Sequence, residues 1–225
     1  MKTLIKGAAL SFLFFICAAL AFAGQTVITG DVMEVFKGGD ITVSKGRSKA
    51  VNGNNSVLSD KMTYDKKSSL VSASGRVKLY SKTEDGTPLE AYGDFAQYNL
   101  DSSTGRLFGK KASLKYGLKD SDSPLVLKAK EMRINKNLET LNARGDVEII
   151  TSSGTIYSDN ALFDKKTYSV LAVKEDKRPS ADVLYDGKKG FYEADTMIFY
   201  NSADDKKIVM KGSVKGRMHM EDKIK

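Results

Sequence analysis

Few residues in the 225-residue chain could carry out catalysis. It has one histidine, His219, one cysteine, Cys17, and no tryptophan. A Cys/His metal site, a cysteine nucleophile or a Ser/His/Asp triad each needs residues that are scarce here. Most carboxylates lie in predicted turns beside lysines, where surface pairing is the ordinary explanation. The sequence therefore predicts a protein that is not an enzyme and that has no metal site or cofactor.

The N-terminal segment 1–23 differs from the rest of the chain. Lys2 and Lys6 precede an apolar run over 7–20, and Ala21-Phe22-Ala23 has the small-x-small pattern that signal peptidase cleaves. A retained membrane anchor is the alternative, but the apolar run is shorter than the roughly 20 residues that span a bilayer. We expect a cleaved signal peptide over 1–23, an exported protein, and a single cysteine-free domain over 24–225.

A sequence repeat indicates how this domain folds, with a period of about 34 residues. Five blocks begin at Asp60, Asp94, Lys130, Asp159 and Asp195. The third and fifth residues of every block are apolar, whereas the second and fourth are mostly polar. Alternation with a period of two predicts strands with one buried face. These inward positions are Met62, Tyr64, Ala96, Tyr98, Met132, Ile134, Ala161, Phe163, Met197 and Phe199.

A glycine follows most of the blocks at a nearly constant distance. Gly75, Gly109 and Gly145 lie at the same spacing from the starts of their blocks, and Gly212 follows its block at a slightly longer spacing. A polar turn and a second alternating segment lie between block and glycine, which predicts a β-hairpin. Alternation resumes after the glycine, so the glycine marks a bulge or bend within a strand. The resumed segments add the inward residues Val77, Leu79, Val147 and Ile149.

A second bend is predicted at the start of each block. The preceding residue is always small, and the apolar positions change from odd to even there. A strand must bend or bulge at such a point to keep its apolar side inward. The five small residues are Ser59, Gly93, Ala129, Ser158 and Ala194.

These patterns predict an all-β fold of repeated antiparallel hairpins around one elongated apolar interior. A jellyroll of two facing sheets and a β-solenoid of stacked rungs both satisfy them. No helical periodicity of useful length follows position 23.

Two pairs of sequence segments resemble a repeat of a known family. Residues 58–65 followed by 73–79, and 129–135 followed by 143–149, resemble the OstA-like repeat of the lipopolysaccharide-transport periplasmic bridge family. The resemblance covers roughly residues 28–216. It implies an elongated, twisted β-jellyroll, open at both ends, that carries lipopolysaccharide from the inner to the outer membrane through an apolar groove. It also implies a periplasmic location, which suits the predicted signal peptide.

The resemblance further implies partners. These are lipopolysaccharide, through its lipid A acyl chains, and the related jellyroll domains of an inner-membrane complex and an outer-membrane translocon. Head-to-tail self-association is expected through the terminal segments 26–36 and 208–220, because an open stack of strands leaves an unpaired edge at each end. Nucleic acid is not expected as a partner, since the protein is exported and has no recognition motif.

The inward residues allow two interpretations. They could pack against one another as a closed core, or they could line a lipid groove, which needs flexible side chains such as methionine. The residues alone do not decide between these, and the family resemblance favours the groove. Its expected lining is Met62, Tyr64, Val77, Leu79, Ala96, Tyr98, Met132, Ile134, Val147, Ile149, Phe163, Met197 and Phe199.

Two further questions stay open at this stage. Five lysine pairs near predicted turns could meet headgroup phosphates or could be solvated loop tips, consistent with a net charge of +8. The alternative function is an exported structural or carbohydrate-binding β-solenoid without lipid transport. Such a protein would expose aromatic and polar side chains together on one outer face.

Overall fold

The structure of the protein is a computed structural model. It describes residues 27–52, 54–82, 88–102, 104–118, 121–134, 140–164, 167, 169–185, 188–201 and 206–218. The predicted signal peptide, Cys17 and His219 lie outside the described residues.

The described chain is almost entirely β-structure, with one 3₁₀ turn over Lys37–Gly39. The strands are β1 (Val27–Thr29), β2 (Val32–Phe36), β3 (Ile41–Asn52), β4 (Asn55–Asp65), β5 (Leu70–Lys82), β6 (Pro88–Asn99), β7 (Thr104–Leu118), β8 (Ser121–Ile134), β9 (Thr140–Thr151), β10 (Gly154–Asp164), β11 (Ser169–Val173), β12 (Ser180–Tyr185), β13 (Lys188–Glu193), β14 (Thr196–Asn201), β15 (Lys206–Lys211) and β16 (Lys215–Met218).

The strands form one antiparallel sheet in which sequence neighbours are mostly spatial neighbours. Strands β3 to β10 pair in chain order, and β11, β14 and β15 continue that order. Strands β12, β13 and β16 leave this path, because β12 pairs with the first half of β10 and then with β13. Among the described strands, no pairing joins β1 or β2 to β15 or β16, so the sheet is open at both ends.

Each long strand bends at its middle. The register between neighbours shifts there, for example between Leu58 and Lys61 in β4 and between Tyr92 and Phe95 in β6. The bends align across the sheet and divide it into two layers. Layer A comprises β2, β11, β14, β15 and residues 41–45, 61–65, 70–74, 95–99, 104–108, 131–134, 140–144 and 160–164. Layer B comprises β1, β12, β13, β16 and residues 48–52, 56–58, 77–82, 88–93, 112–118, 121–128, 147–151 and 154–157.

In the terminal regions, the chain changes layer between two separate short strands instead of at a bend within one long strand. The chain passes between layers at 30–31 between β1 and β2, at 174–179 between β11 and β12, and again after β13 and after β15. The layers face each other, because Tyr116 of layer B contacts Phe163 of layer A, with ring centroids 6.1 Å apart, although β7 and β10 are not neighbours. The architecture is thus an open two-layer β-jellyroll folded along one line of bends.

The predicted all-β jellyroll, its hairpins and its bends are therefore confirmed. The strands are longer than the short segments that the alternation indicated, because the bend shifts the register without ending the strand. β7, for example, runs for 15 residues across its bend.

Candidate functional site

The interior surface of layer A has an unusual composition in the row of residues nearest the bends. Directly paired neighbours in this row are almost all alanine or methionine, and nearly all are buried. The row runs Met62, Ala73, Ala96, Leu107, Met132, Ala143, Ala161, Ala172, Met197 and Met210. We call it the Met/Ala row. Small side chains leave space, and flexible thioethers fill irregular space, so this surface can adapt its shape.

The next interior row of layer A lies farther from the bends and is bulkier. It runs Tyr64, Val71, Tyr98, Gly105, Ile134, Leu141, Phe163, Val170, Phe199 and Ile208. Layer B opposes both rows with aliphatic side chains, including Leu79, Leu114, Leu127, Ile149 and Ile156. The interior of layer A is therefore apolar from β4 to β15, whereas the corresponding positions of β3 are Thr42 and Ser44.

One section of this interior is incompletely filled. A cavity of about 30 Å³ lies between the layers, where Ala73, Ala96 and Gly105 of layer A oppose Leu79 and Leu89 of layer B. Its exposed wall is almost wholly apolar, and few polar residues, such as Ser81, Gln97 and Arg106, border it. Beyond this section, the Tyr116–Phe163 contact closes the space between the layers.

The structure brings together most of the residues predicted as a groove lining. Met62, Val77, Leu79, Ala96, Met132, Val147, Ile149, Met197 and Phe199 belong to one buried cluster, with Ile134 and Phe163 packed against it. Tyr98 is buried and borders the cavity. Tyr64 is half-buried, and burial raises the pKa of its hydroxyl, with smaller contributions from Asp101 and Asp65. Whether these residues contact lipid stays a prediction.

Sequence reasoning found only part of the second wall of the interior, with Val77, Leu79, Val147 and Ile149. It missed Leu114, Tyr116 and Leu125, which are buried and come from the layer B parts of β7 and β8. Their alternation is present in the sequence from 112 to 129, so the period-two pattern could have found them.

A ladder of acids and glycines lines the outside of the bends. At three bends, those at Asp31, Asp60 and Asp94, the acid faces a glycine on the next strand and accepts a hydrogen bond from the residue after that glycine. Arg47 binds Asp31 at 2.7 Å, and Arg76 binds Asp60 at 2.6 Å. The hydrogen bond from each arginine lowers the pKa of its aspartate, and partial desolvation opposes this. The backbone N–H of Lys110 donates to Asp94 at 2.9 Å.

The glycines of this ladder are required by conformation. Gly46, Gly75, Gly145 and Gly212 have φ between 68° and 76°, and the residue that follows each also has a positive φ. A Cβ at Gly75 would also lie 2.8 Å from Cβ of Asp60. The acid and the glycine therefore occur together, which explains their constant spacing in the sequence.

The ladder also reveals a block that sequence reasoning missed. Asp31 lies beside Gly46, and its backbone N–H donates to the Gly46 carbonyl oxygen at 2.9 Å. The interior-facing residues of this block, Met33 and Val35, are 50% and 61% exposed, because no further described strand covers β2 in layer A. Two apolar side chains of the interior face are thus open to solvent at the N-terminal end of the stack.

Within the described residues, no group of three His, Cys, Asp or Glu side chains could hold a metal ion. In the same part of the chain, no helix has the length and hydrophobicity needed to cross a membrane. The fold and its interior thus define an open β-jellyroll with a buried apolar centre.

Comparison with solved structures finds a similar chain in the crystal structure of LptH from Pseudomonas aeruginosa. That protein is described as the LptA-homologous periplasmic component of the conserved lipopolysaccharide transport device. The similarity covers 72% of this chain and 94% of LptH, with 11% sequence identity and a TM-score of 0.37. No family model and no curated protein matches the sequence.

Proposed function

We propose that this protein is a non-enzymatic periplasmic carrier that binds lipopolysaccharide acyl chains between its two layers and forms part of a bridge from inner to outer membrane. The observation that carries the proposal is the Met/Ala row, a mostly buried and adaptable wall that runs from β4 to β15. Burial of each CH₂ of an acyl chain contributes on the order of 0.8 kcal/mol. The two pairs of segments that resemble the OstA-like repeat support the same function.

Binding requires the layers to separate. The observed cavity is much smaller than an acyl chain, so the Tyr116–Phe163 contact must open to admit one. The two layers are covalently joined only along the bends and at the crossings between strands. Separation at the opposite margin, where the hairpin turns lie, needs no sheet hydrogen bond to break.

The open ends support the bridging part of the proposal. At one end, β2 exposes Val32, Met33, Val35 and Phe36. At the other end, β15 has no partner beyond β14 among the described strands, and the nearby Val214 and Met218 are exposed. Pairing of these unlike edges would be heterologous and would join the interiors of neighbouring stacks. The partners would be further copies or related jellyroll domains.

One observation favours the second candidate function, carbohydrate binding on an outer face. Phe95 and Phe108 stack on the outer face of layer A, with centroids 5.3 Å apart, and Phe95 is 46% exposed. Arg106 lies 4.5 Å from the Phe108 ring centroid, and Glu131 is adjacent. Aromatic and polar side chains thus occur together there, as a saccharide platform would need.

Native mass spectrometry of protein purified gently from its own cell envelope separates the two functions. The carrier function predicts a bound amphiphile with the mass of a lipopolysaccharide. A chain that carries only saccharide would favour the second candidate, and a chain that carries no amphiphile would contradict the first.

A further inference from the structure

An open cleft of about 550 Å³ lies on the outer face of layer A, where β6 and β8 end and β7 and β9 begin. Its polar lining includes the directly paired row Gln97, Arg106, Arg133 and Asn142. Leu162 extends this row with an apolar side chain. None of these outer-face residues belongs to the predicted groove.

The cleft and the interior cavity lie on opposite faces of the same part of the sheet, next to its margin at the start of β7 and the end of β8. Both are bordered by Tyr98, Gly105 and Ile134, together with Gln97 and Arg106. Gly105 occupies an inward position between Tyr98 and Ile134, where every other described residue of its row has a side chain. A Cβ there would lie 3.3 Å from Cδ2 of Tyr98, which is close but not prohibitive. The missing side chain therefore brings apolar space next to a polar cleft.

Two arginines are held side by side in this cleft. Glu131 contacts Nε of Arg106 at 2.5 Å and Nε of Arg133 at 2.6 Å. Burial opposes ionisation of Glu131, but hydrogen bonds from Arg133 and Arg106 outweigh it and lower the pKa of the carboxyl. Because an arginine has five N–H donors, this pairing leaves donors on both guanidinium groups. The summed charge of Arg106, Arg133 and Glu131 is therefore positive.

Asn142 adds a third polar group to the cleft. Its Oδ1 atom is buried and has no hydrogen-bond partner among the described residues. A buried amide oxygen without a donor is costly, so a ligand hydroxyl or N–H would stabilise it. If the amide is flipped, so that its oxygen and nitrogen exchange places, Nδ2 would instead donate to a ligand oxygen.

We propose that this cleft binds the phosphate-bearing headgroup of an amphiphile, with Arg106 and Arg133 on the phosphate, while the acyl part passes around the sheet margin beyond Ile134 and enters the interior space next to Gly105. The proposal rests on the carrier function and assigns it a headgroup site. Paired guanidinium groups match the geometry of phosphate oxygens. A polar cleft on one face of the sheet margin, with an apolar cavity on the other face, suits a molecule with both characters.

The test is calorimetric titration of the full chain with dodecyl phosphate, dodecyl maltoside and inorganic phosphate, each below any micelle concentration. Dodecyl phosphate should bind most tightly. Arg106→Gln and Arg133→Gln should each weaken its binding about tenfold or more, as expected for loss of a charge-assisted bond. The matched control is Arg76→Gln, which removes an equally paired arginine at the bends and should leave binding unchanged.

A second set of titrations uses the variant Gly105→Val. This variant should weaken both dodecyl ligands and leave binding of inorganic phosphate unchanged, since it fills the apolar space and keeps the arginines. Equal affinity for inorganic and dodecyl phosphate would overturn the amphiphile assignment in favour of a free-phosphate site. Binding of both dodecyl ligands without any effect of either arginine substitution would overturn the headgroup site alone. Binding of neither dodecyl ligand would contradict the carrier function itself.

Discussion

Lys130 and Asp146 form the same ion pair as Asp60 and Arg76, with the charges exchanged between the strands. The Lys130 Nζ to Asp146 Oδ2 distance is 2.7 Å, and the Arg76 to Asp60 distance is 2.6 Å. Gly145 and Gly75 precede the second partner in each pair, with φ of 76° at both positions. At these two bends a glycine and a complementary charge pair thus occur together, whichever strand supplies the acid.

The first prediction follows from this exchange. Asp146→Arg should lower the unfolding temperature, because it places two cations against each other, and Lys130→Asp combined with Asp146→Arg should recover the loss. Thermal unfolding followed by circular dichroism measures both. The effect should be small and salt-sensitive, because these side chains are mostly exposed. A double variant as unstable as the single one would contradict the exchange.

The same pair has a defined pH dependence. The hydrogen bond from Lys130 lowers the folded-state pKa of Asp146 below its ordinary value of 3.8. Its stabilising contribution is therefore present above that ordinary pKa and is lost as the pH falls through the folded-state pKa. The difference in stability between the parent protein and Asp146→Asn should be present at pH 7 and should disappear towards pH 2.

The second prediction concerns the glycines of the bends. Gly145→Ala should cost about 1–2 kcal/mol, as expected for a left-handed conformation of a residue with a Cβ. Gly75→Ala should cost more, because its Cβ would also lie 2.8 Å from Cβ of Asp60, whereas at Gly145 the close atoms belong to the flexible Lys130. Urea unfolding gives both values.

Gly105→Ala is the matched control for these glycines. Gly105 is not among the residues with positive φ, so alanine there should change stability little. Equal losses at Gly75, Gly145 and Gly105 would show that conformation at the bends is not the cause.

The third prediction tests the interior. Ile134→Asp should reduce the amount of lipopolysaccharide recovered with the protein, because an isolated carboxylate in apolar surroundings costs several kcal/mol or becomes protonated. Leu58→Asp makes the same chemical change on the outer face of layer B, where Leu58 is 40% exposed, and should leave recovery unchanged. Circular dichroism must first show that both variants are folded. Full recovery with folded Ile134→Asp would exclude this section as a binding surface.

The fourth prediction concerns the ends. Val35, on the terminal strand β2, is 61% exposed. Val35→Lys should weaken concentration-dependent association in sedimentation velocity, and so should deletion of residues 208–225. A parent protein that remains monomeric at all concentrations would rule out self-stacking and leave only pairing with other jellyroll domains.

The sequence was informative wherever local physics determines structure. Alternation identified Met132 as an inward residue, and the small Ser59 marked a bend, because strand period and backbone sterics act over short stretches of chain. The cluster of Arg106, Glu131 and Arg133 could not be predicted in this way. Arg106 meets the other two only through the register of β7 against β8, which is fixed by the register shifts at their bends.

The division of layers was also beyond local reasoning. Phe163 and Tyr116 meet across the interior although they are distant in sequence and strands β8 and β9 lie between theirs in the sheet. Alternation predicts which residues of a strand face inward. Only the aligned bends of the whole sheet determine which inward residues of the two layers oppose each other.

Site-specific photocrosslinking in intact cells tests the central claim most directly. A photoreactive residue replaces Phe163, inside the stack, and in a second variant replaces Leu58, on the outer face. The account predicts a lipopolysaccharide adduct from position 163 and none from position 58. Adducts of equal yield from both positions, or from neither in a folded protein, would contradict an interior that carries lipid.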